Sequence, residues 1–232
     1  MSKTILISGA NRGIGFEFAR ELSNAGHNVI ACCRQPENAT ALLKLAQKNK
    51  NIQLLPLDVC NEKSIHALRN TLKGKPIDWL INNAGISGES GVTIGNIHAD
   101  NFLRVIHTNC IGAIQLADAL LDNLVASNDK LVVNISSRMS SISDNTTGRS
   151  YAYRSSKAAL NTVMRSFAID TQDLGVNVIL IHPGWVKTNM GGEEGLLTPE
   201  ESVSAMLKVI EQHRKNAHAE TILRFDGEKI AW

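Results

Sequence analysis

The sequence predicts a single α/β domain: a doubly wound parallel sheet between two layers of helices, three layers in all. Short, β-branched apolar runs alternate with longer amphipathic stretches along the 232 residues, as expected for strands that are buried on both faces. Repeated strand–helix units favour right-handed crossovers and therefore a parallel sheet. No linker rich in proline, glycine or serine interrupts the pattern, and the length is within the ~250 residues that one domain commonly spans.

The alternation assigns the elements in order. Strands are predicted over residues 4–8, 28–33, 52–57, 79–82, 130–136 and 176–182, with a further strand over 222–225. Helices are predicted over residues 14–24, 37–48, 62–72, 101–126 and 151–173, and a weaker pattern covers 200–214. Asp100 is expected to cap the fourth helix. Gly26 and Gly175 follow the first and fifth helices, where a left-handed residue is favoured.

The composition argues against several classes of protein. With 24 basic and 22 acidic residues the net charge is +2, which gives no reason to expect binding to nucleic acid or to an anionic membrane. No apolar stretch reaches the ~18 residues of a membrane span, and the amino-terminal sequence is unlike a signal peptide. The four cysteines form no C-x-x-C pair, so we expect reduced thiols, no metal site and a cytoplasmic protein.

Three glycines follow the first predicted strand, with the spacing G-x-x-x-G-x-G: Gly9, Gly13 and Gly15. Glycine permits a tight turn and lets backbone N–H groups approach a pyrophosphate, and the amino terminus of the following helix favours negative charge. The pattern therefore predicts dinucleotide binding, with Asn11 and Ile14 of the same loop among the contacts. The alternative is a simple turn.

Two basic residues indicate which dinucleotide is bound. Arg12 lies inside the glycine loop and Arg34 directly follows the second strand, where proteins that prefer NAD(H) place an acidic residue for the ribose 2′-hydroxyl. A guanidinium matches a 2′-phosphate in charge and shape, so NADP(H) is predicted over NAD(H); the alternative is a pair of solvated arginines. After the third strand, Asp58 and Val59 are predicted to contact the adenine, with a turn aspartate as the alternative.

The ends of the fourth and sixth strands are predicted to contact the dinucleotide as well. Small residues after the fourth strand let the backbone pass close to a flat ligand, and proline and glycine after the sixth expose backbone groups that can hold a carboxamide. The residues concerned are Asn83, Ala84, Gly85, Pro183, Gly184, Val186 and Thr188.

The strongest local signal for chemistry is the pair Tyr153 and Lys157. Residues four apart share one face of a helix. A phenol with a pKa of ~10 is a poor acid at pH 7, and a nearby ammonium group lowers that pKa. The pair therefore predicts a proton-transfer site that also contacts the cofactor, whereas Tyr151 is expected to lie on the wrong face.

Other polar residues are candidates for the same site. Ser136 and Ser137 end the fifth strand, and a hydroxyl there can bind a substrate oxygen. Asn109 lies within a largely apolar predicted helix, where its amide needs a partner; it is expected to hold a water between Lys157 and solvent, or else to kink the helix. His107 and His182 are interpreted as structural histidines with satisfied hydrogen bonds.

Together these segments resemble the short-chain dehydrogenase/reductase family. The resemblance rests on SGANRGIG, NNAG, the Asn109 region, NISS, YRSSK and HPGWVKT, which occur in the family's order and spacing over most of the chain. Within it, NISSRMSSI, YAYRSSKAALN, HPGWVKTNMGG and FDGEKIAW resemble sniffer-type carbonyl reductases and C-factor-like proteins. The resemblance implies a Rossmann fold and a catalytic tetrad of Asn109, Ser137, Tyr153 and Lys157. Two departures are Ser8, where the family usually has Thr, and a longer segment between Ser137 and Tyr153.

The resemblance further implies NADPH-dependent reduction of a ketone, aldehyde or quinone, and a homodimer, with a tetramer as the alternative. The segments 85–99 and 190–198 are expected to shape a partly apolar pocket. The competing hypothesis is a non-catalytic NADP(H)-binding signalling or regulatory protein, since fold alone does not fix function.

Overall fold

The computed structural model describes residues 2–232 and contains one eight-stranded sheet. The strands are β1 (Thr4–Ser8), β2 (Asn28–Cys33), β3 (Ile52–Pro56), β4 (Trp79–Asn82), β5 (Leu131–Ile135), β6 (Asn177–His182), β7 (His218–Arg224) and β8 (Lys229–Ile230). Their order is β3-β2-β1-β4-β5-β6-β7-β8, and each neighbouring pair is parallel except the antiparallel pair β7 and β8. The predicted doubly wound sheet is confirmed, and β8 is an addition that the sequence did not indicate.

Eight α-helices accompany the sheet within the described residues: α1 (Gly13–Asn24), α2 (Thr40–Lys48), α3 (Glu62–Thr71), α4 (Ala99–Ile106), α5 (Gly112–Ala119), α6 (Leu121–Val125), α7 (Tyr151–Asp170) and α8 (Pro199–His213). Two separate apolar cores lie on the two faces of the sheet. One is formed with α3, α5, α6 and α7, and the other with α1, α2 and α8. In β1, Leu6 belongs to the first core whereas Ile5 and Ile7 belong to the second, because successive side chains of a strand point to opposite faces.

The predicted helix over 101–126 is wrong as a single element. It is broken by a π-helical turn at His107–Ile111 and again at Leu120, between α5 and α6. Gly112 follows the π-turn against Val59, whose carbonyl oxygen would lie 2.6 Å from a Cβ at that position. A close approach of this kind belongs to tertiary packing and is not visible in a helical periodicity.

Two helix starts also differ from the prediction. Asp100 does not cap the fourth helix, because α4 begins at Ala99 and its cap residue is His98; Asp100 lies in the first turn, where its charge still favours the helix dipole. The second predicted helix begins as a short 3-10 turn at Pro36–Asn38 before α2. By contrast Thr198 forms a complete capping box with Glu201 at the start of α8, a feature that the sequence analysis did not use.

Candidate active site

The order of the strands reverses at β1, which lies between β2 and β4, so the carboxyl ends of β1 and β4 meet beside a crevice. Ser8 joins them: its Oγ accepts hydrogen bonds from the backbone N–H groups of Asn83 and Ala84, both at 3.1 Å. The Asn83 side chain donates back to the carbonyls of Ser8 and Gly9 at 2.9 and 3.0 Å. The hydroxyl that replaces threonine at position 8 therefore fixes the first glycine-loop segment to the end of β4.

The glycines of the loop are required partly by packing. A Cβ at Gly15 would lie 2.3 Å from both Asn83 Nδ2 and the Gly9 carbonyl oxygen, and a Cβ at Gly9 would lie 2.9 Å from the Cα of Ala84. Gly13 has a φ of +54°, the left-handed region that favours glycine. The first turn of α1 holds no acidic residue, and its cap residue Arg12 makes no capping hydrogen bond. Its N–H groups thus form an anion site of the kind that binds a pyrophosphate.

Both candidate phosphate-binding arginines are exposed. Within residues 2–232, neither Arg12 nor Arg34 forms an ion pair or a side-chain hydrogen bond. The backbone N–H of Ala10 donates to the carbonyl of Cys32 at 2.9 Å, so the loop of Arg12 lies directly beside the end of β2, where Arg34 follows. The two guanidinium groups are available to a phosphate at that edge.

Asp58 has a structural role that the sequence left open. Its Oδ1 accepts from the backbone N–H of Cys60 at 3.0 Å, and its own N–H donates to Ser64 Oγ at 2.9 Å. Val59 is buried against the backbone of α5 at Gly112. One carboxylate oxygen of Asp58 therefore stabilises the turn after β3. The contact of Asp58 and Val59 with the adenine stays a prediction.

The side chains of the predicted tetrad lie close together beyond the ends of β4 and β5. The Lys157 Nζ is 6.0 Å from the centre of the Tyr153 ring, and the Ser137 hydroxyl lies near enough to the Tyr153 phenol to lower its pKa. Gly85 lies between the other members: a Cβ there would be 3.2 Å from Asn109 Oδ1 and 3.7 Å from Lys157 Nζ. Glycine is the residue that leaves this space open.

Burial governs the acidity of both members of the Tyr–Lys pair. It raises the pKa of Tyr153, and the hydrogen bond from Ser137 lowers it in part. Burial also lowers the pKa of Lys157 from 10.5 to about 8, while its Nζ donates to the Ile135 carbonyl at 2.7 Å. The prediction that Lys157 lowers the pKa of Tyr153 is wrong in this structure: the lowering comes from Ser137, and desolvation outweighs it.

The two serines after β5 have different surroundings. Ser136 Oγ donates to Asn161 Oδ1 at 2.6 Å, and Asn161 in turn donates to Ser140 Oγ, so Ser136 belongs to a buried network. Ser137 Oγ instead accepts from the Met139 N–H at 3.1 Å and lies near the Tyr153 phenol, whose pKa it lowers. Of the two hydroxyls, Ser137 is the one beside the proton-transfer pair.

Asn109 lies in the π-turn, and its side chain is largely occupied within the protein. Its Nδ2 donates to the Ile86 carbonyl and to Ser156 Oγ, both at 2.9 Å, and its Oδ1 accepts from the Ile86 N–H at 2.8 Å. Both amide hydrogens are therefore used, which leaves only Oδ1 to accept a further bond. Asn109 therefore lies where the helix is distorted, and it lies near Lys157 across Gly85. Its role in holding a water between Lys157 and solvent stays a prediction.

The segment after β6 packs on the glycine loop. A Cβ at Gly13 would lie 3.3 Å from Thr188 Cγ2, and Thr188 Oγ1 accepts from the Gly191 N–H at 3.1 Å. Gly184 has a φ of +84°, and a Cβ there would lie 2.6 Å from Leu197 Cδ1. This segment therefore borders the glycine loop through the contact of Thr188 with Gly13. Pro183 and Val186 lie within it; the Pro183 carbonyl accepts from Ser202 Oγ and Val186 is buried.

Comparison with known proteins identifies the family of this chain. A family model described as short chain dehydrogenase matches residues 3–196. The chain belongs to the short-chain dehydrogenase family. Membership makes it an oxidoreductase, and the resemblance drawn from its motifs is confirmed.

Relatives of this short-chain dehydrogenase include both a signal protein and carbonyl reductases. C-signal of Myxococcus xanthus is 38% identical over 157 residues, which cover 68% of this chain and 93% of that protein. The crystal structure of NADPH-bound carbonyl reductase from chicken fatty liver has a TM-score of 0.91 at 35% identity and covers 100% of this chain and 99% of that one. Carbonyl reductase Sniffer of D. melanogaster has a TM-score of 0.90 at 31% identity, and the match covers 100% of both chains.

Three residues of this short-chain dehydrogenase were missed or misinterpreted from the sequence. Ser156 links Asn109 to the catalytic helix by donating to the Tyr153 carbonyl at 2.8 Å. Asn161 lies four residues after Lys157 on the same helix face, a spacing that could have indicated it. His182 is not a satisfied histidine: its buried Nδ1 has no hydrogen-bond partner within residues 2–232, and burial lowers its pKa to about 4.

Other expectations concern the rest of the chain. Cys32, Cys33, Cys60 and Cys110 are free thiols, and Cys60 alone among them is only partly buried. Among the described residues, no group of three or more His, Cys, Asp and Glu side chains is placed to hold a metal ion. No helix in residues 2–232 is both long and apolar enough to cross a membrane.

Proposed function

We propose that this short-chain dehydrogenase reduces a carbonyl compound with NADPH, and that Tyr153 donates the proton. The observation that carries the proposal is the convergence of Ser137, Tyr153 and Lys157 beside the crevice that the glycine loop lines. NADPH-bound carbonyl reductase from chicken fatty liver has the same fold over its whole length, which supports the assignment of reaction and cofactor.

The residues around the crevice fit a phosphorylated dinucleotide. The open N–H groups of α1 suit the pyrophosphate, and Arg12 and Arg34, exposed and free of ion pairs within the described chain, suit a 2′-phosphate. Pro183, Gly184 and Thr188 lie where the nicotinamide end is expected. When bound, the reduced dinucleotide supplies the hydride.

The protein's own side chains handle the carbonyl oxygen and the proton. Ser137 and Tyr153 bind that oxygen through their hydroxyl groups, and Tyr153 transfers its hydrogen to it. Lys157, largely buried and with a pKa of about 8, carries positive charge at pH 7 and favours the phenolate left by the transfer. Ile86, Ser156 and Asn109 fix the π-turn on the far side of Gly85, so the space around Lys157 stays constant.

Exposed apolar side chains in three loops of the carboxyl edge favour an apolar substrate. Ile94, Ile142 and Leu196 are 78, 81 and 77% exposed, and each comes from a different loop after β4, β5 or β6. A small cleft beside Tyr153 is lined by apolar side chains, among them Val92, Ile97 and Phe102, and by polar ones, among them Glu89, His98 and Asn101. Exposed apolar side chains in the loops that follow the carboxyl ends of the strands are suited to binding an apolar ligand, so the substrate class proposed here is an apolar ketone, aldehyde or quinone.

The experiment that tests the proposal is the consumption of NADPH with a panel of quinones, diketones and aromatic aldehydes. Turnover that requires Tyr153 is the expected result. Absence of turnover across the panel, with NADPH still bound, would instead favour the second candidate, a non-catalytic NADP(H)-binding signalling protein. That candidate is supported by the similarity to C-signal, whereas the assembled Ser137, Tyr153 and Lys157 favour catalysis.

We also propose a homodimer, with a tetramer as the alternative. Leu103 on α4 is 67% exposed and Ile169 on α7 is 54% exposed, and Ile111 between α4 and α5 is 40% exposed. Apolar side chains of this kind are suited to burial between two copies of the chain. Light scattering in solution distinguishes the dimer, the tetramer and a monomer.

A further inference from the structure

The side chain of Arg154, next to Tyr153 in the sequence, makes three hydrogen bonds to the segment that precedes its helix. Its Nε donates to the Gly148 carbonyl at 3.1 Å, its Nη1 to the Met139 carbonyl at 3.3 Å and its Nη2 to Thr147 Oγ1 at 2.9 Å. We call residues 138–150 the serine segment, because it connects Ser137 to the start of α7. One guanidinium thus joins both ends of the serine segment to the catalytic helix.

The end of the serine segment has an unusual backbone. Gly148, Arg149 and Ser150 have φ values of +64°, +57° and +50°, and two of these residues carry a Cβ that disfavours the left-handed region. Ser150 also makes no capping hydrogen bond to α7. Such a conformation persists only where the surrounding structure holds it, and it is concentrated at functional sites. Here Arg154 holds the two residues that enter the turn, Thr147 and Gly148.

The contacts of Arg154 form a closed ring with the proton-transfer group. Arg154 bonds to the carbonyl of Met139, and the N–H of Met139 donates to Ser137 Oγ at 3.1 Å. The Ser137 hydroxyl lies near enough to the phenol of Tyr153 to lower its pKa, and Tyr153 is covalently joined to Arg154. Movement of Met139 away from α7 would therefore move Ser137 away from the phenol.

We propose that Arg154 is a positioning residue, which holds the serine segment against α7 so that the Ser137 hydroxyl stays on the Tyr153 phenol. The expected effect of Arg154 on turnover rests on the proposed function, whereas its effect on the position of Ser137 does not. A planar fork with five N–H donors can reach three acceptors at once, whereas the single ammonium of lysine cannot. Arg154 itself touches neither of the two hydroxyl groups in this ring.

The first test measures turnover of an accepted carbonyl with Arg154→Met. We expect kcat to fall by roughly ten- to a hundredfold, the cost of a ~1 Å misplacement in a site, while the affinity for NADPH is unchanged. The matched control is Arg165→Met, which removes an arginine of the same helix that also donates to a backbone carbonyl, that of His218. A wild-type kcat in Arg154→Met, or an equal fall in Arg165→Met, would overturn the proposal.

The second test needs no substrate. The chain has two tyrosines, so in a Tyr151→Phe background the phenolate absorbance reports the titration of Tyr153 alone. We expect Arg154→Met to raise that pKa, because the bond from Ser137 is weakened, and to have no further effect when Ser137 is already alanine. An unchanged pKa, or the same rise with and without the Ser137 hydroxyl, contradicts the positioning role.

The two tests separate this inference from the proposed function. A wild-type protein that reduces no carbonyl removes the proposed function, yet the titration still decides whether Arg154 acts through Ser137. Circular dichroism establishes that each variant is folded. If Arg154→Met does not fold, Arg154→Lys is titrated instead, and the same rise, again absent when Ser137 is alanine, is expected, because one ammonium replaces at most part of the three bonds.

Discussion

The two edges of the sheet use charge in opposite ways. At the edge formed by the amino ends of the strands, Asp129 lies 3.2 Å from Lys3 and 2.7 Å from Arg214, and it accepts from the Trp79 indole N–H at 2.8 Å. Lys3 also bonds to Glu211 and lies 4.2 Å from the centre of the Trp79 ring. Each of these charges has an opposite partner, so the network links β1, β4, β5 and α8.

At the carboxyl edge the charges lack such partners. Arg12 and Arg34 are exposed and make no ion pair within the described chain, and the Lys157 ammonium is buried against a neutral carbonyl. Paired, hydrogen-bonded charge stabilises the fold, whereas unpaired charge costs stability and remains available to a ligand. The difference indicates that mutations at the two edges separate stability from activity.

The largest effect is expected from Tyr153→Phe at the carboxyl edge. Loss of the phenolic hydrogen should lower kcat by about 10²–10⁴-fold, the usual contribution of a positioned acid, with little change in NADPH affinity or stability. Steady-state kinetics and cofactor titration measure these quantities. Tyr151→Phe removes the same hydroxyl two residues earlier and should change kcat far less; equal losses in the two variants would remove Tyr153 from its proposed role.

Arg34→Ala should change cofactor preference rather than turnover. A charge-assisted hydrogen bond is worth about 1.5–3 kcal/mol, so NADPH affinity should fall by roughly ten- to a hundredfold, and NADH affinity should change little. Calorimetric titration with each dinucleotide measures the ratio. Arg69→Ala, which removes an exposed arginine of α3, is the control, and an unaltered preference in Arg34→Ala would show that Arg34 does not bind the 2′-phosphate.

Asp129→Asn tests the amino edge. Two cations and an indole N–H lose their anion, which should lower the free energy of unfolding by about 1–3 kcal/mol and leave kcat unchanged. Burial alone would raise the pKa of Asp129, but the Trp79 and Lys3 contacts outweigh it and the pKa lies below 3.8. Because a lowered carboxylate pKa gives stability that is lost as the pH falls below about 4, urea unfolding of the two proteins should converge there. A fall in kcat without loss of stability in Asp129→Asn would contradict the proposed difference between the two edges of the sheet.

Lys157→Met should not lower the free energy of unfolding at neutral pH, in contrast to Asp129→Asn. We expect unfolding free energy equal to or above that of the wild type, because the variant removes a charge that burial disfavours, although turnover is lost. The folded state releases the Lys157 proton at about pH 8 and the unfolded chain near 10.5, so the unfolded state binds more protons in that interval and wild-type stability rises there. The difference between the two proteins should therefore narrow from pH 8 upward, and a constant difference contradicts the buried-charge explanation.

The positions of several strands and their burial on both faces followed from the local pattern. Residues 4–8, 28–33 and 79–82 are strands with the predicted bounds, because apolar alternation and turn residues are local properties. The prediction of one helix over 101–126 was wrong because its break depends on residues that are distant in the chain. Its break at the π-turn depends on the contacts of Asn109 with Ile86 and Ser156, which are 23 and 47 residues away.

The sequence by itself determined the fold class, the family and the residue types at the ends of the strands, since spacing and composition encode these directly. Only the tertiary structure decided that Ser136 belongs to a buried network with Asn161, that both amide hydrogens of Asn109 are already bonded, and that Arg154 joins the serine segment to α7. Hydrogen-bond partners and burial, and with them acidity, depend on groups brought together from distant parts of the chain, and no local pattern specifies them.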